Sequence, residues 1–382
     1  MTELFRKTSA TSRRRHLAIA LTSVLSLSSM IINPLAVSAQ VSADYSQVIV
    51  PADGKTSVPK LVTPYDSSPT VITAPPPPVA VPRTRPKVGL ALGGGGTRGA
   101  AHIGALRVLM QENIPVDMVV GTSMGAVVGG LYCAGLSADD MQTRFEKGLM
   151  RSFMTVSIPV RIAIIPILAI PRLFGYKPYD GFYRGAVFRR FIQKSLPDDK
   201  QEIEKLNKPF GAVALNLLNG QAYCITKGNV GEALQASAAL PVLRRPVKID
   251  KGLFVDGGVV ANLPCTETRA LGAKFVIAVD VDERFEPMPD EEFRKLGSVA
   301  HRVLTLHLAK VDDNQRKEAD IVIHPNVNGI SLISTKKKNI EEAIAAGEEA
   351  ARLAIPEIRE KLGLESKATE SKSASTTEHM NR

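Results

Sequence analysis

The chain has 382 residues, of which 44% are apolar and 23% charged, so its composition is that of a globular protein rather than a disordered, collagen-like or polytopic membrane protein. Its three cysteines, Cys133, Cys224 and Cys265, are too few for a disulfide framework and too widely spaced for a CxxC metal site. Residues 1–39 carry five Lys/Arg and one acid, or +4 of the net charge of +10, so the remaining +6 makes the rest only modestly basic.

Residues 1–39 have the order of a secretory signal peptide. A basic start up to Arg15 precedes the mostly apolar residues 17–32 and a small-residue run that ends at Ala39. This order predicts cleavage after Ala39 and a periplasmic or secreted mature protein. An uncleaved membrane anchor, a twin-arginine signal and an organelle transit peptide remain as alternatives.

The next segment, residues 40–86, is rich in proline, serine, threonine and valine, which predicts an extended linker. Residues 366–382 are rich in Ser, Thr, Lys and Glu without apolar periodicity, which predicts a disordered tail. The folded body is therefore expected over residues 87–365.

Strand and helix patterns alternate along this body. The β-type runs are 87–92, 116–120, 211–217, 221–226, 253–255, 275–281 and 321–323. The helical patterns are 103–110, 126–134, 137–145, 232–240, 264–271 and 291–308. This alternation predicts a single α/β domain with three layers, α/β/α, around a mainly parallel sheet.

A glycine-rich loop follows the first strand. Gly94, Gly96 and Gly99 have the G-x-G-x-x-G spacing, but no acidic residue ends the next strand as a dinucleotide site requires. Glycines at the start of a helix leave backbone N–H groups bare, where they can bind developing negative charge. We therefore favour an oxyanion hole over a nucleotide site.

Two further motifs carry candidate catalytic groups. Gly121, Ser123 and Gly125 form a G-x-S-x-G between an apolar run and a helical run, which is the context of a nucleophile elbow. Asp256 ends a β-type run and is followed by Gly257 and Gly258, a pattern that in isolation is typical of a turn.

The three motifs together resemble the patatin-like phospholipase family. The resemblance covers about 280 residues and includes residues 236–241 ahead of Asp256 and residues 271–274 after it. It implies a patatin-like fold with Ser123 as nucleophile and Asp256 as general base. It also implies an oxyanion hole at Gly94, Gly95 and Gly96, with Arg98 beside it adding positive potential.

This assignment predicts ester hydrolysis through an acyl-enzyme, with no metal and no cofactor. A Ser-Asp-His triad stays open, because His301, His307 and His324 all follow Asp256. His102 is interpreted as a packing residue. The expected substrate is a phospholipid or another lipid ester.

The stretch from Arg151 to Lys194 holds eight Lys/Arg and a single acid, a net charge of +7. Its apolar part, residues 158–174, is interrupted by prolines and is too short to span a bilayer. Two interpretations remain: a buried cover over the sheet, or a rim that contacts an anionic membrane surface. The stretch contains no recognisable nucleic-acid-binding motif, so we expect no nucleic-acid partner.

The sequence therefore predicts a serine lipid acyl hydrolase of phospholipase A or lysophospholipase type. An acyltransferase or thioesterase with the same dyad and a non-catalytic membrane-binding module are the alternatives.

Overall fold

The computed structural model describes residues 85–153, 179, 181, 183–283, 287–294 and 298–364, without the side chains of residues 300, 301 and 304. The predicted signal peptide, linker and C-terminal tail lie outside these residues. Those assignments therefore remain predictions from the sequence.

Within the described residues, eight strands form one sheet. They are β1 Val88–Leu92, β2 Met118–Thr122, β3 Phe210–Asn216, β4 Gln221–Ile225, β5 Val247–Ile249, β6 Gly252–Asp256, β7 Phe275–Val279 and β8 Ile321–Ile323. Their order across the sheet is β5-β6-β3-β2-β1-β7-β8, and β4 pairs with β3.

Helices connect these strands within the described ranges. They are α1 Ala101–Gln111, α2 Met124–Cys133, α3 Ala138–Arg144, α4 Met150–Phe153, α5 Ala186–Ser195, α6 Val230–Ser237, α7 Gly258–Ala261, α8 Cys265–Ala270, α9 Ser298–Lys317 and α10 Lys337–Leu362. A 3-10 turn over Gly96–Ala100 leads into α1.

The sheet is parallel at its centre and antiparallel towards β5. The pairs β1–β2, β1–β7, β2–β3 and β7–β8 are parallel. The pairs β3–β4, β3–β6 and β5–β6 are antiparallel. Short turns account for the pairs β3–β4 and β5–β6, because strands joined by only a few residues can pair only in opposite directions.

Alternating strand residues pack on opposite faces of the sheet. In β1, Leu90 and Leu92 join the large core cluster that includes α1 and α2, whereas Ala91 joins the separate cluster that includes Cys265 of α8. Because side chains alternate along a strand, buried apolar residues at every position require helices on both faces. The three-layer α/β/α prediction is thereby confirmed.

Part of the basic stretch is described. Helix α5 buries Phe188 and Ile192, while Arg190 and Lys194 lie on its exposed side. The apolar residues 158–174 lie outside the described residues. Among the helices that the structure describes, none has the length and apolar character needed to cross a bilayer.

Candidate active site

Ser123 occupies the turn between β2 and α2. Its backbone has φ 52° and ψ −118°, a conformation that L-residues rarely adopt and that projects the side chain from the end of the strand. Gly125 permits the close approach behind it, because a Cβ there would lie 2.2 Å from the Leu92 carbonyl oxygen. Gly121 similarly faces the start of α2. The turn has the form of a nucleophile elbow.

Asp256 lies at the end of β6 and contacts the serine directly. The Ser123 Oγ–H donates to Asp256 Oδ2 at 2.6 Å, and the Gly258 N–H donates to Asp256 Oδ1 at 2.9 Å. Gly257, which lies between Asp256 and Gly258 in the chain, packs against the Val213 carbonyl of β3. Both carboxylate oxygens are therefore engaged, one by the serine and one by the backbone.

The carboxylate of Asp256 is buried, with 4% of its surface exposed. Burial raises the pKa of Asp256 to about 6, against the opposing effects of the Ser123 and Gly258 hydrogen bonds and the Arg244 charge. A carboxylate with this pKa is ionised at neutral pH and is basic enough to accept the serine proton.

The described histidine side chains have partners other than the dyad. His307 Nε2 lies 3.2 Å from the Val259 carbonyl, and His324 Nδ1 lies 3.3 Å from Asp280. His102 Nε2 donates to the Gly93 carbonyl at 2.7 Å, and burial lowers the pKa of His102 to about 4. The side chain of His301 lies outside the described residues.

The glycine loop adjoins the nucleophile, since a Cβ on Gly94 would lie 3.3 Å from Ser123 Cβ. The Gly94 N–H, predicted as an oxyanion donor, donates to the Asn262 carbonyl at 3.0 Å. The N–H groups of Gly95 and Gly96 have no acceptor among the described residues. Gly96 has φ 54° and abuts the Leu332 carbonyl, so only glycine fits there.

The prediction that Arg98 adds positive potential to the hole is not supported by its contacts. Arg98 is 3% exposed, and its Nε donates to the Ile330 carbonyl at 2.6 Å. Its Nη2 pairs with Glu283 at 2.8 Å. Because a carboxylate neutralises the guanidinium, Arg98 serves to anchor the 3-10 turn. Gly99, in the same turn, packs against Met124 of α2.

Sequence reasoning gave no role to two residues that hold the site together. The Ser123 N–H donates to Ser237 Oγ at 2.9 Å, and the Ser237 hydroxyl donates to the Val213 carbonyl at 2.6 Å. Asn262 contacts the glycine loop through its carbonyl. Ser237 lies in residues 236–241, a segment noted beside the main motifs, which was the available signal. Asn262 lies four residues after Gly258.

Arg244 is a third residue to which sequence reasoning gave no role. It is 2% exposed, and its guanidinium carbon lies 4.3 Å and 4.7 Å from the ring centroids of Phe153 and Phe188. It donates to the Phe153 carbonyl at 3.4 Å. Burial raises the pKa of Asp256, and the positive charge of Arg244 partly opposes that rise.

Three buried carboxyl groups, those of Asp280, Asp282 and Asp312, have oxygens within 4.8 Å of one another, a spacing that could hold a metal ion. Protein donors already use several of these oxygens. Arg316 pairs with Asp280 at 2.7 Å, and the Leu263 N–H donates to Asp312 at 2.8 Å. These contacts favour a structural role for the cluster.

Residues 90–269 match the family model described as patatin-like phospholipase. The chain therefore contains a patatin-like phospholipase domain, as the resemblance predicted.

Two similar proteins extend this result. Patatin-like phospholipase domain-containing protein 6 of Mus musculus is 32% identical over 201 residues, which are 52% of this chain and 14% of that protein. Lysophospholipase NTE1 of Mycosarcoma maydis is 34% identical over 197 residues, 51% of this chain and 10% of that protein. The matched part is thus a small fraction of each relative. The crystal structure of VipD from Legionella pneumophila aligns over 72% of this chain and 67% of that chain, with 14% identity and a TM-score of 0.41.

Proposed function

We propose that the protein is a serine lipid acyl hydrolase that cleaves carboxylic esters of phospholipids or lysophospholipids. The observation that carries this proposal is the 2.6 Å hydrogen bond from Ser123 Oγ to Asp256 Oδ2 at a nucleophile elbow. The substrate class is supported by the domain's family and by a relative named as a lysophospholipase.

Acylation begins when Asp256 accepts the Ser123 proton as Oγ attacks the ester carbonyl carbon. The tetrahedral intermediate places negative charge on the former carbonyl oxygen, and the N–H groups of Gly95 and Gly96 donate to it. The ester bond then breaks, and the leaving alcohol takes the proton from Asp256.

Deacylation repeats these steps with water as the nucleophile. Asp256 accepts a proton from water, the hydroxide attacks the acyl carbon, and Ser123 leaves and recovers its proton from Asp256. The products are a free fatty acid and the regenerated enzyme. Each proton is taken and returned by the same carboxyl group, so the cycle needs no histidine.

The test is release of free fatty acid from phosphatidylcholine and lysophosphatidylcholine. The native protein should release it, whereas folded Ser123→Ala and Asp256→Asn variants should lose roughly 10⁴-fold or more of the rate. His307→Ala is the matched control and should retain substantial activity. Near-native release by Ser123→Ala would overturn the proposal.

The same assay separates hydrolysis from acyl transfer. With an added lipid alcohol, hydrolysis yields free fatty acid as the main product. A new ester as the main product would replace the hydrolase assignment by an acyltransferase. Release by neither route from a folded protein would favour a non-catalytic module.

A further inference from the structure

Asn262 contacts the glycine loop at two points. Its main-chain carbonyl accepts the Gly94 N–H at 3.0 Å, and its side-chain Oδ1 lies where a Cβ on Gly94 would approach within 2.4 Å. The same Oδ1 would lie 3.0 Å from a Cβ on Gly258, the residue that donates to Asp256. Asn262 therefore packs between the glycine loop and the turn that follows Asp256.

The Asn262 amide is oriented from its other side. Nδ2 donates to Asp312 Oδ2 at 3.0 Å and to Asp282 Oδ1 at 3.2 Å. Carboxyl oxygens accept both N–H bonds, so the amide nitrogen must face these acids and Oδ1 must face the glycines. Asn262 is 3% exposed and Asp312 is fully buried, so water does not compete for these bonds.

The two acids are themselves held in place. The Leu263 N–H donates to Asp312 Oδ1 at 2.8 Å, and the Asp282 N–H donates to Asp280 Oδ1 at 3.1 Å. Asp280 is paired with Arg316, which sits on α9. A connected set of hydrogen bonds thus runs from α9 to the glycine loop.

From these contacts we propose that Asn262 is a positioning residue for the reaction: its amide, oriented by Asp312 and Asp282, fixes the glycine loop so that the Gly95 and Gly96 N–H groups face the oxyanion formed at Ser123. This inference rests on the proposed hydrolase function. A displacement of about 1 Å in such a loop can cost about 100-fold in rate, because oxyanion donors act only at short range.

The test uses Asn262→Asp, which keeps the shape and replaces the donating amide by a carboxyl group. With a soluble short-chain ester, we expect kcat to fall about 100-fold and KM to change less than about 3-fold, because the oxyanion forms only in the transition state. Adding Asp312→Asn exchanges the two groups, so that an amide at position 312 can donate to the carboxyl group at position 262. The double variant should recover kcat to within about 10-fold of native.

Asn229→Asp is the matched control. Asn229 is the N-cap of α6 and accepts from the Glu232 N–H, a role that aspartate fills equally well. The kcat and KM of the Asn229→Asp variant should remain native. The comparison separates the effect at Asn262 from any general effect of replacing Asn by Asp.

Native kcat in folded Asn262→Asp, or no recovery in the folded double variant, would overturn the inference. If Asn262→Asp does not fold, Asn262→Ser takes its place with the same expected fall in kcat. Native kcat in that variant, or failure of both to fold, would show a purely structural role and overturn the inference as well. Ser123→Ala is measured in the same assay. If that variant keeps its activity, the hydrolase proposal fails, and this outcome is distinct from a failure of the inference on Asn262.

Discussion

Ser123 is held in its conformation by contacts on several sides. A residue in such a region of φ and ψ costs of order 1–3 kcal/mol, which the surrounding structure must offset. The Ser123 N–H is bonded to Ser237, its Oγ to Asp256, and the neighbouring Thr122 hydroxyl to the Ala261 carbonyl. Strain at the nucleophile is therefore supported by α6, β6 and α7 rather than by the turn itself.

The pH dependence of hydrolysis follows from Asp256. The pKa of Asp256 is about 6, and only the ionised carboxylate can accept the serine proton. The kcat/KM of the native protein should therefore rise with pH through about 6 and level off above it. A pH–rate profile with a soluble ester measures this.

Replacing Arg244 tests the same carboxyl group. In Arg244→Met the buried positive charge is lost, so the pKa of Asp256 should rise and the midpoint of the profile should move to higher pH. Arg244→Lys keeps the charge and should leave the midpoint near its native value. Identical midpoints in all three folded proteins would contradict this role.

Helix α5 has one side that fits a buried cover over the core and another that fits a basic surface facing a membrane. Phe188 packs edge-on against Phe153 of α4, with ring centroids 5.6 Å apart, so this side covers the core. The opposite side exposes Arg190 and Lys194. The charge pattern of the sequence identified the stretch but could not separate its two sides, because both depend on how the helix packs.

Reversing the exposed charges tests contact with a membrane. Arg151, Arg190 and Lys194 are all exposed, and each basic residue near an anionic surface contributes about 1 kcal/mol. The triple change to Glu should weaken binding to anionic vesicles by at least about 100-fold while soluble-ester turnover stays near native. Co-sedimentation with anionic and neutral vesicles measures it.

The matched control reverses three exposed basic residues of α10, namely Lys338, Arg352 and Lys361. This variant should keep the preference for anionic vesicles. Equal loss in both triple variants would indicate a response to net charge alone. Unchanged binding of the variant at Arg151, Arg190 and Lys194 would contradict a membrane-facing role.

At the scale of the molecule, the long C-terminal helix α10 completes the domain by packing on α1. A Cβ on Gly347 of α10 would lie 1.9 Å from the Ala101 carbonyl, and one on Gly104 of α1 would lie 2.0 Å from the Ile344 carbonyl. The two helices therefore meet backbone to backbone. Ala101 directly follows the 3-10 turn of the glycine loop. The contact with α10 therefore helps to hold the glycine loop in place.

Gly347→Ala gives opposite expectations from helix propensity and from packing. Propensity alone would stabilise the helix by about 1 kcal/mol, whereas overpacking a close contact costs about 1–3 kcal/mol. Because the contact is with rigid backbone, we expect a lower Tm. Thermal unfolding measures the Tm. Ala345→Gly, on the exposed side of α10, measures the change in stability that helix propensity alone causes. A raised Tm in Gly347→Ala would contradict the contact.

Local patterns in the sequence were enough to predict the Ser123 elbow and seven of the eight described strands, all except the three-residue β5 Val247–Ile249. The β-type run at residues 275–281, for example, became β7 with all five residues buried. Helix α10 was not predicted, since Gly347 and Pro356 interrupt its helical pattern and its contact with α1 depends on glycine surfaces. Ser237, Asn262 and Arg244 were missed for a related reason: their roles arise from partners distant in the chain.

Covalent labelling shows whether Ser123 is an activated nucleophile. A fluorophosphonate reacts with a serine that is activated by a base and faces an oxyanion hole. After reaction with the native protein, peptide mapping should place one adduct on Ser123, and Asp256→Asn should react far more slowly. Absence of an adduct on the folded native protein, or equal labelling of Ser123→Ala, would contradict the role of Ser123 as the nucleophile.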